Sequence, residues 1–167
     1  MEIDDLCIRL LALHQPAGKD LRFITTGLKI TTDLERIGDM AVNTCERALE
    51  LNQEPQLKPY IDIPRMARIA QRMTRESLDA FVREDTSLAL KVCKDDEEID
   101  QLNSQIFREV ITFMIEDPHT VSRAIKISAI SKYLERMADH ATNIAEMVIF
   151  MVKGKSIRHM KELPPSI

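Results

Sequence analysis

Three pairs of carboxylates recur in this chain at the spacing acid-x-x-x-acid: Glu35 with Asp39, Asp96 with Asp100, and Glu135 with Asp139. Four residues is about one helical turn, so on a helix each pair projects from one face. Like charges at that spacing cost a helix roughly a few tenths of a kcal/mol each. A rigid row of hard oxygen donors is what a divalent or ferric cation takes, and Fe, Mn, Mg and Zn all suit such a set. Asp4, Glu46, Glu146, Asn43 and Asn143 are additional candidate donors beside the pairs. The plainer alternative is a solvated acidic flank relieved by Arg36 and Arg136, and the residues alone leave both open.

Two of the pairs belong to one repeated stretch. Residues 34–46 read LERIGDMAVNTCE and residues 134–146 read LERMADHATNIAE, identical at seven of thirteen positions at an offset of 100. With about 100° per residue and Leu34 at zero, Ile37, Ala41, Cys45 and Ala48 fall within about 60° and form an apolar stripe. Glu35, Asp39 and Glu46 fall between about 100° and 140°, one acidic flank. The second copy repeats the pattern, with Leu134, Met137, Ala141, Ala145 and Val148 apolar and Glu135, Asp139 and Glu146 acidic. An internal repeat of this kind fixes architecture before anything else does.

The rest of the chain must position these rows. Its 167 residues hold five Phe, two Tyr, no Trp and only four Gly, a helix-forming composition. A net charge of −4 and the shortage of aromatics argue against nucleic acid, which wants a basic face and stacking platforms. No apolar run approaches the roughly 18 residues of a membrane span, and the start MEIDDLC is too acidic for a signal peptide. Cys7, Cys45 and Cys93 have no CxxC spacing and read as reduced thiols of a cytosolic protein.

In chain order, Ile3, Leu6, Leu10 and Leu13 predict a first helix that packs on that row. Pro16 suits the first turn of a second helix running from Ala17 to about Asn52, with Gly38 on its packing side. The run QEPQLKPYIDIP is a linker, and Asp62 is expected to cap a third helix. That helix carries Met66, Ile69, Ala70, Met73, Ser77, Ala80 and Phe81 on one face. After the short turn REDTS, a fourth helix with Leu88, Val92, Ile99, Leu102, Ile106, Val110 and Phe113 inward runs to Glu116, antiparallel to the third. Asp117-Pro118 opens a fifth that ends at Gly154. The fold class is therefore all-α: a first repeat over 1–54, a linker over 55–62, a three-helix second repeat over 63–154, and a polar tail over 155–167.

The stretches LALHQPAGKDLRF, LERIGDMAVNTCE, DAFVRED, DDEEID and LERMADHATNIAE closely resemble the phosphate-uptake regulator family called PhoU, in order and over nearly the whole chain. The resemblance implies tandem antiparallel three-helix bundles in a cytoplasmic, usually dimeric protein that is regulatory and not an enzyme. It further implies partners, the ATPase of the phosphate ABC transporter and a sensor histidine kinase, and restraint of the phosphate-starvation response. Metal binding through Glu/Asp-x-x-x-Asp motifs would fall here on Glu35 and Asp39, Asp96 and Asp100, and Glu135 and Asp139.

Rival readings come from other classes. A ferritin-like di-iron oxidase needs Glu-x-x-His on two helices, and the sequence does not supply two. His140, beside Asp139, is either an extra ligand or a solvent-facing residue. A metal-free helical adaptor or dimerisation protein keeps the fold and drops the cation. Of the two repeats the second is expected to hold the better site, because the counterpart of Asp96 in the first falls before residue 1. By the same comparison 55 residues precede Pro118 in the second repeat and 15 precede Pro16 in the first. The first bundle is thus expected to lack a helix, to leave apolar faces over 3–13 and 24–48 bare, and either to pair with a second copy or to be a shortened form of a longer chain.

Overall fold

Long unbroken runs of helix formers fold here as long helices. The computed structural model describes residues 2–154, and the polar tail expected over 155–167 lies outside them. The helices are α1 (Glu2–His14), α2 (Gly18–Leu51), α3 (Asp62–Arg83), α4 (Thr86–Glu116) and α5 (Val121–Lys153), the last entered through a short 3-10 turn (Pro118–Thr120). Among the described residues there is no strand, as the composition predicts.

The organising element is α5, which packs against α2, α3 and α4. Its buried residues include Ile127, Ile130, Leu134, Ala138, Ala141, Ile144, Ala145, Val148 and Ile149. That stripe is wide enough to meet neighbours on several sides. Met66, Ile69, Ala70 and Met73 of α3 and Val92, Ile99, Ile106 and Val110 of α4 complete the main core. A smaller cluster of Ile30, Ile37 and Ile144 sits between α2 and α5.

The α2–α5 packing is antiparallel. Arg22 Nε donates to the Met151 carbonyl at 3.0 Å, Asp33 meets His140, and Lys126 reaches Glu50 and Glu54. The two copies of the repeated stretch therefore run antiparallel and meet at their first halves, where Ile37 lies near Leu134 and Met137. Helices α3 and α4 are antiparallel too, tied by Arg65–Glu98, Arg72–Asp95 and Lys91–Glu76. Their turn is set by Glu84 in the left-handed region (φ 53°) and by Asp85, whose side chain accepts from Ser87 N and Leu88 N at 2.9 and 3.0 Å.

Several local expectations need correction. Helix α1 buries Cys7 and half-buries Asp4, Leu10 and Leu11, while Ile3, Leu6 and Leu13 are exposed. The row that meets α2 is thus rotated from the heptad row, of which only Leu10 is partly covered among the described residues. Helix α2 begins at Gly18 after Ala17, so Pro16 precedes its first turn. Gly38 is exposed, and a Cβ there would meet nothing within 4 Å, so it serves no close approach. Asp62 is the first residue of α3 and makes no capping bond; Ile61 holds the cap position. Asp117 does cap, accepting from His119 N at 2.9 Å.

Eight large apolar side chains of α1 and α2 are exposed: Ile3, Leu6, Ile8, Leu13, Leu21, Phe23, Val42 and Leu49. Four of them lie in 3–13, where a bare apolar face is expected, but among these eight only Val42 falls in 24–48, so the bare face expected there is not found.

Candidate functional site

The acid-rich run of α4, KDDEEID, is divided by helical geometry into two faces. Asp95 and Glu98 turn to α3, where Arg72 and Arg65 meet them at 3.2 and 2.7 Å. Asp96 and Asp100 turn the other way, to α5, and there they meet Glu135 and Asp139. The two acid-x-x-x-acid pairs thus confront each other across one helix–helix contact, with carboxylates on both sides.

Burial and then the crowding of like charge raise Asp96, Asp100 and Asp139 above the ordinary carboxylate value. Burial, then the charges of Asp100 and Asp139, lifts the Asp96 carboxyl to about 6. Asp100 and Asp139 keep solvent-exposed tips, yet both are raised, first by the protein packed around them and then by Glu135. Lys132 is the local relief: its Nζ donates to Glu135 Oε1 at 2.6 Å and tempers both aspartates. The Cys93 thiol, one turn before Asp96, is pushed up to about 12 by burial and by the nearby Glu146 and Asp96.

Three buried oxygens in this contact, Asp96 Oδ1, Glu135 Oε2 and Thr142 Oγ1, have no hydrogen-bond partner. Thr142 lies near enough to temper the rise at Asp96, but neither buried atom has a bond of good geometry. Orphaned carboxylate oxygens are costly, and a cation is one thing that satisfies them. Among the described residues, however, no three His, Cys, Asp or Glu side chains are grouped closely enough to hold an ion as they stand. The donor set of Asp96, Asp100, Glu135 and Asp139, with Glu146 beyond, fits a hard cation in chemistry and in its unsatisfied oxygens.

The first copy differs. Glu35, Asp39 and Glu46 are exposed, with Asp39 3.6 Å from Arg36 in an exposed pair. Asp4 accepts from Thr31 Oγ1 at 3.1 Å across α1 and α2. Asn43 and Asn143 are half-buried. The acidic flank of α2 is thus solvated, whereas that of α5 is packed against α4.

His140 is not a solvent-facing residue, and although it follows Asp139 in the chain its ring is turned to Asp33 of α2. It is half-buried, and its Nδ1–H donates to Asp33 Oδ1 at 2.8 Å across the α2–α5 contact. The helical angle assigned it to solvent because that flank of α5 has no neighbour until α2 is placed there. Glu116 and His119 stand three residues apart, but Asp117 ends α4 between them (φ −143°), so they form no helical ligand pair. Thr142 is the site residue that no spacing rule points to, and Lys132 is legible only as the i−3 neighbour of Glu135.

The PhoU domain family model matches residues 1–48 and 63–148. A Pseudomonas aeruginosa protein named phosphate-specific transport system accessory protein PhoU homolog is 43% identical over 159 residues, covering 95% of this chain and 66% of its own length. A relative of the same name from Aquifex aeolicus is also 43% identical, with 95% and 72% covered. The chain spans about two thirds of the length of these curated relatives. It superposes on the crystal structure of PhoU from Pseudomonas aeruginosa with a TM-score of 0.88 at 42% identity, over 92% of this chain and 74% of that one. The phosphate transport system regulatory protein PhoU from Streptococcus pneumoniae matches with a TM-score of 0.82 at 29% identity, over 91% and 71%. With the family model covering most of its length and its fold matching solved members, the chain belongs to the PhoU family.

Proposed function

We propose that this chain is a non-catalytic accessory regulator of phosphate uptake and of the phosphate-starvation response. In this reading it works in the cytoplasm through contacts with the ATPase of a phosphate ABC transporter and with a sensor histidine kinase. The observation that carries the reading is the shared name of relatives that align over 95% of the chain, each a phosphate-specific transport system accessory protein. An all-helical scaffold in which no described helix is long and apolar enough to cross a membrane is compatible with it. The bare apolar side chains of α1 and α2 support pairing with a second copy.

The same reading gives Asp96, Asp100, Glu135 and Asp139 a hard cation, of the Fe, Mn, Mg or Zn class. A bound cation would neutralise the crowded carboxylates and tie α4 to α5, a structural role with no reaction attached. Glu35 and Asp39, with Asp4 and Glu46, would make a weaker second site. A metal-free adaptor is the alternative, favoured by the lack of three grouped ligands among the described residues.

Co-purification with the transporter ATPase and the sensor kinase, with and without added Mn(II), tests both readings. Capture of either partner is expected; capture of neither overturns the regulatory reading. Metal analysis of protein purified without chelator should show bound ion that Glu135→Ala/Asp139→Ala loses. An unchanged stoichiometry in that variant would remove the cation from this site.

A further inference from the structure

The carboxylates of the α4–α5 contact already have a cation that belongs to the chain. Lys132 stands three residues before Glu135, on the same face of α5, and its Nζ donates to Glu135 Oε1 at 2.6 Å. The two partners differ in their surroundings, since the glutamate side chain is 12% exposed and the lysine side chain 55%. Glu135 is thus a packed acid with one oxygen on a tethered ammonium. Its other oxygen, Oε2, is buried without a hydrogen-bond partner. The same ammonium is near enough to Asp100 and Asp139 to offset part of the repulsion they feel.

A single pair at this spacing, with one partner largely in water, holds weakly. Lys132 is therefore able to swing out along its flexible stem at small cost. While it stays, it sets a positive charge beside the oxygens a metal would need, and like charges a few ångströms apart repel more strongly in packed protein than in water. Among the described residues no three His, Cys, Asp or Glu are grouped closely enough to hold an ion as they stand. Side chains must turn before an ion is shared, and the bond to Lys132 opposes such a turn of Glu135.

The repeat supplies an internal comparison. At the offset of 100 the counterpart of Lys132 is Thr32 and that of Glu135 is Glu35, both exposed on α2. The lysine goes with the copy whose acids are packed together and is missing from the copy whose acids are solvated. Packed carboxylates need a counter-charge when no metal is bound, whereas solvated ones have water.

We propose that Lys132 is a built-in counter-charge of the α4–α5 carboxylates that must release Glu135 for a hard cation to bind, and so sets the cation affinity of this site. The proposal rests on the cation reading above and adds to it a residue that is not itself a ligand.

The experiment titrates Mn(II) into the chelator-treated full chain and follows free ion by its electron paramagnetic resonance signal. Lys132→Gln, at an exposed position, should bind Mn(II) at least about threefold more tightly than the parent, because a repelling charge is gone. Lys132→Arg keeps the charge and should bind no more tightly than the parent. Neither should Lys19→Gln, which removes a lysine paired with Glu84 instead. Circular dichroism melts verify that each variant is folded. A second readout follows the displacement itself: acetylation of the Lys132 amine by an N-hydroxysuccinimide ester, read by mass spectrometry, should quicken when Mn(II) is bound. Equal affinity in Lys132→Gln and the parent would overturn the proposal. So would equal tightening in Lys132→Arg or Lys19→Gln, or labelling of Lys132 that bound ion leaves unchanged. If neither the parent nor Lys132→Gln binds Mn(II), or if Glu135→Ala/Asp139→Ala binds it as the parent does, the cation reading fails and takes the proposal with it.

Discussion

Asp96 is where the electrostatic cost of the carboxylate contact collects. Its carboxyl titrates near 6 when folded, against an ordinary 3.8. Between those values the native chain binds more protons than the unfolded one, so this group's contribution to stability falls as pH rises. Below about 3.8 the cost is absent; above about 6 it is fully present. Asp96→Asn removes the charge and keeps the shape. In chelator-treated protein, urea melts of parent and variant should coincide near pH 4. By pH 7 the variant should be the more stable by about 1–3 kcal/mol. A gap that does not widen with pH would show that Asp96 is not strained in the metal-free fold.

At the scale of the element, the turn between α3 and α4 depends on Asp85. Its carboxylate serves two amide donors of α4, and Asp85→Ala should cost about 1 kcal/mol in urea denaturation. An unchanged midpoint would mean that solvent serves those amides equally well. The element boundaries were largely legible from the chain, because Asp117-Pro118, Gly154 and the REDTS turn act through local chemistry that needs no neighbour. The inward faces of α3 and α4 were legible for a related reason: each has one core to face. Met66, Met73 and Ala80 are buried as their spacing requires, as are Val92, Ile99 and Ile106. Periodicity was less informative for α1 and α2. A helix with apolar residues on more than one side does not say which side finds a partner, and Cys7, not Leu6, turned out to be the buried one. The carboxylates were found by spacing alone, and the difference between the two copies was legible too, because the counterpart of Asp96 falls before residue 1; the burial that raises Asp96 is the tertiary part. Asp33–His140 and Thr142 depend on α2 and α4 arriving from distant sequence, and no local pattern encodes them.

Over the whole molecule, the exposed apolar side chains of α1 and α2, apart from Phe23, which stacks on Phe81, set the expected solution state. Each is worth about 1.5 kcal/mol or more when covered, so covering several would drive association. Light scattering after gel filtration should give a concentration-dependent dimer. Ile8→Asp/Leu49→Asp, at exposed positions, should shift it to monomer without lowering the monomer's melting temperature. A parent chain that stays monomeric across concentrations would exclude this pairing.

The head-to-tail packing of α2 on α5 also bears on how the chain reaches its native state. Contacts within α3, α4 and α5 join neighbouring hairpins, whereas Arg22–Met151 and Asp33–His140 close loops of 129 and 107 residues. Loop closure must be completed before such contacts repay it, and non-local pairings form late. The α3–α5 hairpins are therefore expected to assemble first, with α2 zipping onto them afterwards. In pulsed hydrogen exchange during refolding, amides of α4 and α5 should gain protection in an early phase and those of α2 in a later one. Simultaneous protection would instead mean that α2 is part of the nucleus.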